Sequence, residues 1–491
     1  MNRLLRPIPE LSRAVPLAAV ALASALFLSG CADMAGIGSH AKLRDAESLG
    51  LGAPIARLDP SEGVDARWWT AFGDAQLNTL IDQALEGNPN LQVARARLAR
   101  AQATADVATA ADKPQLNAAF DGTRTKFSEN YIYPSPLGGS IQEVGTLQLN
   151  GSWELDFFGK NRSALDTAIG AANAAAADEQ AARVMLAANV ARSYVQWGRL
   201  VDQLSVAQRT LAQRDETLKL VRDRVSAGLD TRLELRQSEG GLPEARQQIE
   251  ALNEQIAVAK HALDALVAKP NATQNLTPPA LSTMKAVALQ PNIPADLLGR
   301  RADIAAARFR VEAATSDVAN ARTQFYPNIN LVAFAGYQAI GFGNLLKSGS
   351  QQWGVGPAIR LPIFEGGRLR ANLRGKAADQ DAAIESYNAT VIDAVRDVAD
   401  QVASAQSITR QQTEQRNAQT AAEGAYDIAV QRYRAGLGNY LNVLTAETAV
   451  LAQRRLAVDL AARALDTQVA LARSLGGGYA APQTTAAARN N

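Results

Sequence analysis

Residues 432–447 read RYRAGLGNYLNVLTAE, and a matching pattern stands 208 residues earlier, at 224–239, as RVSAGLDTRLELRQSE. In each copy a long helical pattern runs into Ala-Gly-Leu, and a second helical pattern begins immediately afterwards. A glycine just past a periodic run supplies the left-handed conformation that closes a helix C-terminus. We therefore predict a tandem repeat with two helix hairpins, whose tips lie at Gly228 and Gly436.

A second pair of matching segments supports the repeat. Residues 303–334 correspond to a segment of the first copy at an offset of 213. In each copy a helical pattern meets a proline, Pro114 or Pro327, and then changes to apolar residues at every second position. Because proline cannot continue a helix interior, the change predicts a helix followed by a strand.

The N-terminus predicts the cellular compartment. Arginines precede an apolar run at residues 15–28, which is too short for a stable membrane span and ends in Leu28-Ser29-Gly30-Cys31. This resembles a bacterial lipobox, which implies cleavage before Cys31, a diacylglycerol on its sulfur and an acyl chain on the new amino terminus. Ala32 replaces the aspartate of the inner-membrane retention signal. The alternative is an ordinary signal peptide with an incidental cysteine.

Four segments alternate apolar and polar residues, and each is interpreted as a strand of about 9 to 11 residues, the length that a tilted strand needs to cross a bilayer. They are residues 115–121, 147–156, 329–335 and 353–361. A half-buried strand of a soluble sandwich would alternate in the same way. The lipobox and the long loops at 126–145 and 338–352, rich in Tyr, Phe, Gly and Ser, favour membrane strands.

Long helical patterns follow each pair of strands, at residues 162–226 and 368–434. In the first, apolar residues recur at every seventh position, which predicts left-handed supercoiling against neighbouring helices. The series is Val190, Trp197, Leu204, Leu211, Leu218 and Val225. We therefore expect a coiled-coil arrangement.

Four strands cannot enclose a lumen, because about eight form the smallest closed barrel and open strand edges are excluded from hydrocarbon. The chain is therefore expected to oligomerise. Two protomers would give eight strands filled by side chains, and three would give twelve strands with a water-filled bore.

Composition argues against several classes of function. A net charge of +2 gives no reason to expect nucleic acid as a partner, and two histidines with one cysteine leave little for catalysis or metal binding. Asp393, Asp397 and Asp400 share a helix face and could hold a cation, although a solvated face is the simpler interpretation. His261 has no second histidine near it and is interpreted as structural. We predict no catalytic residue, no metal site and no cofactor beyond the lipids on Cys31.

Several motifs together resemble the TolC-like outer membrane factors of tripartite efflux pumps, in their lipoprotein branch. They include IPADLLGRRADI at 293–304, FYPNINL at 325–331, LPIFEGGRLRA at 361–371 and LARSLGGG at 471–478. Ala302 departs from the proline that relatives often have.

The resemblance implies an α/β membrane protein: a homotrimer with a shared twelve-stranded outer-membrane β-barrel and a long periplasmic α-helical coiled-coil tunnel. It also implies a Gram-negative outer membrane and its lipid, a periplasmic adaptor (membrane fusion) protein and an inner-membrane efflux pump, expected to be proton-driven.

The resemblance also suggests roles at the closed periplasmic end. The residue matching Leu441 forms an apolar girdle in the family, and acidic residues matching Asn442 and Thr445 form charged rings. Both positions are neutral here, which leaves Glu234, the first-copy counterpart of Asn442, as the carboxylate at that level. Arg432 and Tyr433 match positions that tie the moving hairpin to its neighbours.

We predict a signal peptide at residues 1–30, a lipidated segment at 31–70, repeat one at 71–270, a linker at 271–293, repeat two at 294–478 and a disordered tail at 479–491. The expected function is the export of small molecules from an inner-membrane pump across the envelope. A type I protein-secretion duct would use the same tube. A non-transporting lipoprotein scaffold would explain the heptads and the lipid but not the strands.

Overall fold

The computed structural model describes residues 34–44, 64–284 and 300–479. Cys31, the predicted signal peptide and nearly all of the predicted tail lie outside the described residues. Lipidation of Cys31 therefore stays a prediction.

The described elements follow the order expected from the repeat. They are α1 (Ala75–Gly87), α2 (Pro89–Ala111), β1 (Gln115–Lys126), β2 (Ile141–Glu154), α3 (Lys160–Ser226), α4 (Arg232–Val267), α5 (Ala302–Thr323), β3 (Asn328–Ile340), β4 (Gln351–Arg360), α6 (Arg368–Arg434) and α7 (Tyr440–Ser474). Short 3-10 helices lie at Trp68–Phe72, Leu281–Thr283, Phe342–Asn344 and Ser348–Ser350.

Both repeats place two strands before a long helix. The long helices α3 and α6 each contain 67 residues, and the helices that follow them contain 36 and 35. The predicted bounds of α6 are those observed, and α3 begins two residues before the predicted start. In the described parts of the chain, no helix has both the length and the apolar content needed to cross a membrane.

The strands form one antiparallel sheet in the order β1-β2-β3-β4, so all four predicted strands are present. The register pairs Leu149 with Ala335 on one face and Asn150 with Phe334 on the other. Every second residue therefore faces the same side, which gives one apolar face and one largely polar face.

Three strands are longer than the predicted 9 to 11 residues, with 12, 14 and 13 residues in β1, β2 and β3, whereas β4 has 10. β1 continues to Lys126 and β2 begins at Ile141, so part of the predicted loop is strand. β-branched residues such as Thr123 and Thr125 fit the extended backbone there. The prediction ended β1 too early because the alternation of apolar and polar residues was followed only to Asp121. The pairing of β1 with β2 continues to Lys126.

The chain divides into two compact units, which we describe separately. The described part of the first contains residues 34–43, 99–173 and 308–386, with the sheet. Its small helical core joins α5 to α6 through Val318, Ala321, Phe325, Leu369 and Leu373. Asp381 holds the N-terminal segment, because its carboxylate accepts hydrogen bonds from the Ser39 hydroxyl at 2.5 Å and the His40 amide at 2.8 Å.

The described part of the second unit contains residues 44, 64–98, 174–284, 300–307 and 387–479. Its main core surrounds Trp69 and Phe72 and includes Val190 and Trp197 of the heptad series in α3. Leu218 of the same series is also buried. The heptad positions are therefore packing positions, as a coiled coil requires.

Candidate functional site

The two hairpin tips lie in the second unit and share one backbone geometry. Gly228 and Gly436 have φ angles of 72° and 70°. The amide of Leu229 donates to the Arg224 carbonyl at 2.8 Å, and the amide of Leu437 donates to the Arg432 carbonyl at 2.8 Å. Together with the glycine amides, which donate three residues back at 3.1 Å in both copies, these bonds form the Schellman motif of a helix end.

The helices that leave the tips begin with equivalent caps. The Thr231 hydroxyl accepts from the Leu233 amide at 3.1 Å, and the Asn439 side chain accepts from the Asn442 amide at 3.1 Å. The Glu234 carboxylate accepts from the Thr231 amide at 2.9 Å and from its hydroxyl, which completes a capping box. Hydrogen bonds from Thr231 lower the pKa of Glu234, so this carboxylate is charged and locally engaged.

Three side chains connect the two tips. Arg224 donates from Nε to Asp230 at 2.9 Å and from Nη1 to the Tyr433 carbonyl at 2.9 Å. The buried Tyr433 donates its hydroxyl to Asp230, and the Arg224 guanidinium lies 4.6 Å from the centre of the Tyr433 ring. We call Arg224, Asp230 and Tyr433 the tip triad. It joins a carboxylate of the first repeat to a tyrosine of the second.

Burial and charge determine the protonation of the tip triad. Burial, followed by the hydrogen bond and charge of Asp230, raises the pKa of Tyr433 well above its ordinary value. Burial also tends to raise the pKa of Asp230, but hydrogen bonds from Arg224 and Tyr433 outweigh it and lower that pKa. At neutral pH the tyrosine therefore donates and the carboxylate accepts.

The remaining predicted gate residues lie at the same tip. Leu441 is 60% exposed, and Asn442 and Thr445 are exposed, with the Thr445 hydroxyl donating to the Leu441 carbonyl at 2.9 Å. Arg432 donates to the Leu437 carbonyl at 3.3 Å, within its own turn. The gate roles of these residues stay predictions.

Sequence reasoning missed Arg224 and Asp230, although the repeat contained a signal for one of them. Arg224 stands 208 residues before Arg432 and is its counterpart in the first copy. Asp230 corresponds to Gly438, so comparing the copies would not have revealed it. Of the two matching arginines, only Arg224 belongs to the triad.

A second polar cluster lies in the same hairpins. Arg214 donates from Nε to Glu447 at 2.9 Å, and from Nη1 to the Gly241 carbonyl and to Glu244, both at 2.8 Å. Pro243 lies inside α4 beside this carbonyl. Pro243 lacks the amide that would donate to the carbonyl of Glu239, four residues before it, so Arg214 contacts α4 within the turn that this proline interrupts.

Arginines surround Asp397 on the acidic face of α6. Asp397 has Arg301 at 3.9 Å, Arg396 at 3.8 Å and Arg473 at 3.7 Å. Among residues 34–44, 64–284 and 300–479, no group of three or more His, Cys, Asp or Glu side chains is placed to hold a metal ion.

The chain is similar to a known protein family and to several named proteins. The model of the family described as outer membrane efflux protein matches residues 80–269 and 293–477. The fusaric acid resistance protein FusA of Burkholderia cepacia is 39% identical over 366 residues, which cover 73% of this chain and 68% of that protein. The multidrug resistance outer membrane protein MdtP of Escherichia coli (strain K12) is 32% identical over 477 residues, which cover 94% and 96%.

Solved structures show the same fold. The outer membrane protein VceC of Vibrio cholerae has a TM-score of 0.80 and 37% identity, covering 85% of this chain and 100% of that one. The open state of the MtrE outer membrane channel of Neisseria gonorrhoeae has a TM-score of 0.78 and 26% identity, covering 91% and 98%.

Proposed function

Because the chain belongs to the outer membrane efflux protein family and is an efflux channel of the outer membrane, we propose that three copies close one twelve-stranded barrel. The main support for this proposal is the four-stranded sheet. Its edge strands β1 and β4 are each paired on one side only among the described strands. Unpaired edges are excluded from hydrocarbon, and three sheets pair them all while leaving a water-filled bore. Channels of this family are trimers that work with adaptor proteins and inner-membrane pumps.

The faces of the sheet fit this assembly. Leu116, Leu149 and Val355 belong to the apolar face, and Asn117, Asn150 and Gln352 belong to the polar face. In a membrane barrel the apolar face contacts lipid and the polar face lines the bore. The barrel of this trimer therefore conducts water-soluble cargo. Relatives named for multidrug and fusaric acid resistance support small organic antimicrobials as that cargo.

The tip triad is proposed to hold the periplasmic end closed. It joins the two repeats within each protomer, so opening one hairpin relative to the other separates Tyr433 from Asp230. Three exposed Leu441 side chains are proposed to form the apolar girdle. With Asn442 and Thr445 neutral, the tunnel entrance lacks the strong acidic rings of other members and is only weakly selective for cations.

We also propose that Cys31 carries three acyl chains, which anchor the N-terminal segment to the outer membrane. One acyl chain binds membranes marginally, at about 0.8 kcal/mol per buried methylene, whereas several anchor stably. Wild-type protein should incorporate labelled palmitate and a Cys31→Ser variant should not. Label on the variant would refute the lipobox assignment.

The channel is tested in three measurements on the mature protein. Unheated detergent extracts should contain a species about three times the mature chain mass, and the purified species should give discrete conductance steps in planar bilayers. The periplasmic adaptor should be retained on the immobilised trimer. A stable monomer that keeps its strand signal in circular dichroism, with no conductance, would overturn the proposed assembly.

A further inference from the structure

One aromatic side chain lies on the polar face of the sheet. The four strands contain five aromatic residues, and Phe120, Trp153, Tyr337 and Trp353 share the apolar face. The fifth, Phe334, pairs with Asn150 on one side and with Gly354 on the other. It is therefore the one aromatic group that these strands direct toward the proposed bore.

The glycine in β4 accommodates this ring. A Cβ atom at Gly354 would lie 2.6 Å from Cε1 of Phe334, so the ring occupies the space in which any other residue would place its side chain. A Cβ atom at Gly356, the next residue of β4 on this face, would meet nothing within 4 Å. The Phe334 ring lies over Gly354 and remains 38% exposed.

Amide side chains lie beside the ring on this face. Gln148 donates to Asn150 at 2.6 Å, and Gln352 donates to Gln148 at 3.4 Å. These side chains satisfy part of one another's hydrogen-bonding capacity beside Phe334. A planar ligand placed against the ring would therefore find an aromatic partner flanked by amides.

We propose that Phe334 is a specificity-determining contact for planar aromatic cargo in the bore. The inference rests on the proposed trimer, which places three copies of the ring at one level. Twelve strands about 4.8 Å apart and tilted by about 40° give a barrel about 24 Å across. Three phenyl rings cannot close such a bore, so they contact passing molecules without plugging it.

The ring could instead serve only to cover Gly354, because an aromatic residue over a glycine stabilises a strand pair. A Phe334→Leu variant separates the two roles, since leucine keeps apolar cover but has no ring. Phe334→Tyr keeps the ring and serves as the conservative variant. Val332→Ala changes a side chain of the same face opposite Gly356 and is the matched control.

The experiment uses the purified trimer in planar bilayers, with naphthalene-2-sulfonate or cyclohexanesulfonate added on the side of the strand-connecting loops. We expect the aromatic probe to block the wild-type current with longer dwell times than the saturated probe. Phe334→Leu should shorten the aromatic dwell time about 2- to 12-fold, the range that corresponds to one aromatic contact. Phe334→Tyr and Val332→Ala should leave it unchanged.

Two results would overturn the site. Equal dwell times of the aromatic probe in the wild type and Phe334→Leu would show that the ring makes no cargo contact. Equal dwell times of the aromatic probe in Phe334→Leu and Phe334→Tyr would also show that the ring makes no cargo contact, because the two variants differ in the presence of an aromatic ring. An absence of any conductance from the wild type would instead refute the proposed channel, and the cargo site with it.

Discussion

Arg214 of the first repeat donates from Nε to Glu447 of the second repeat at 2.9 Å, and their side chains are 17% and 10% exposed. The tip triad joins the same two hairpins nearer the tips, through Tyr433 and Asp230. The hairpins are therefore held together at two levels by groups that carry charge. Charges in such surroundings are costly when one partner is removed.

Arg214→Ala should destabilise the trimer by about 2 kcal/mol, because Glu447 keeps its charge in a largely buried position without its cation. The temperature at which the trimer dissociates on unheated gels measures the loss. Arg236→Ala is the matched control, since the Arg236 side chain is 82% exposed in its pair with Glu239 and exposed pairs contribute little. An Arg214→Ala trimer as heat-resistant as the control would contradict this account.

The hairpin tips require glycine for conformation and not for space. Gly228 has a positive φ, and a Cβ atom added there would meet nothing within 4 Å, so Gly228→Ala should cost about 1 kcal/mol through backbone strain alone. Gly240 lies within α4 and is equally unobstructed, so Gly240→Ala should stabilise the helix by about 0.5–1 kcal/mol. Thermal unfolding followed by circular dichroism measures both. Destabilisation by Gly240→Ala would indicate that the segment before Pro243 bends in the native protein.

Local patterns predicted the fold because its elements are long and repeated. The ends of α6, the proline boundaries before β1 and β3, and the positive φ at Gly436 all follow from residues adjacent in sequence. The contacts of Arg224 do not, because they depend on which faces of α3 and α6 meet. The capping box of Thr231 and Glu234 is a local signature as well, since it needs only a threonine three residues before a glutamate at a helix start.

The tip triad should respond to strongly acidic pH only. The pKa of Asp230 lies below its ordinary value of 3.8, so the triad contributes its full stability above that value and loses it as the pH falls through the lowered pKa. Tyr433, with a raised pKa, stays protonated through neutral and mildly alkaline pH. Single-channel conductance should therefore be constant from about pH 8 to 5 and rise below about pH 4.

Asp230→Asn is the control for this pH dependence. It removes the titrating carboxylate, so the variant should show raised conductance at every pH. An opening transition centred between about pH 5 and 7 in the wild type would assign the response to another group, because an unperturbed carboxyl titrates near 4.

The two matching arginines offer a direct comparison of the hairpins. Arg224→Ser removes the ion pair with Asp230 and the hydrogen bond to the Tyr433 carbonyl, whereas Arg432→Ser removes one bond inside its own turn. We expect Arg224→Ser to raise conductance and admit large antibiotics that the wild type excludes, and Arg432→Ser to have the smaller effect. Equal effects would indicate that contacts between protomers, and not the tip triad, hold the periplasmic end closed.

Tyr433→Phe tests the contribution of the Tyr433 hydroxyl to the tip triad, because it removes that hydroxyl and leaves the ring. The ring stays buried under the Arg224 guanidinium, and Asp230 keeps its ion pair, so the change removes one hydrogen bond of about 1 kcal/mol in each protomer. Three symmetric copies bring the total to about 3 kcal/mol, a shift of roughly a hundredfold in the equilibrium between closed and open ends. Channel recordings should show longer open times, while the heat resistance of the trimer changes little. A loss of heat resistance without longer open times would mean that Tyr433 only packs the hairpin tip.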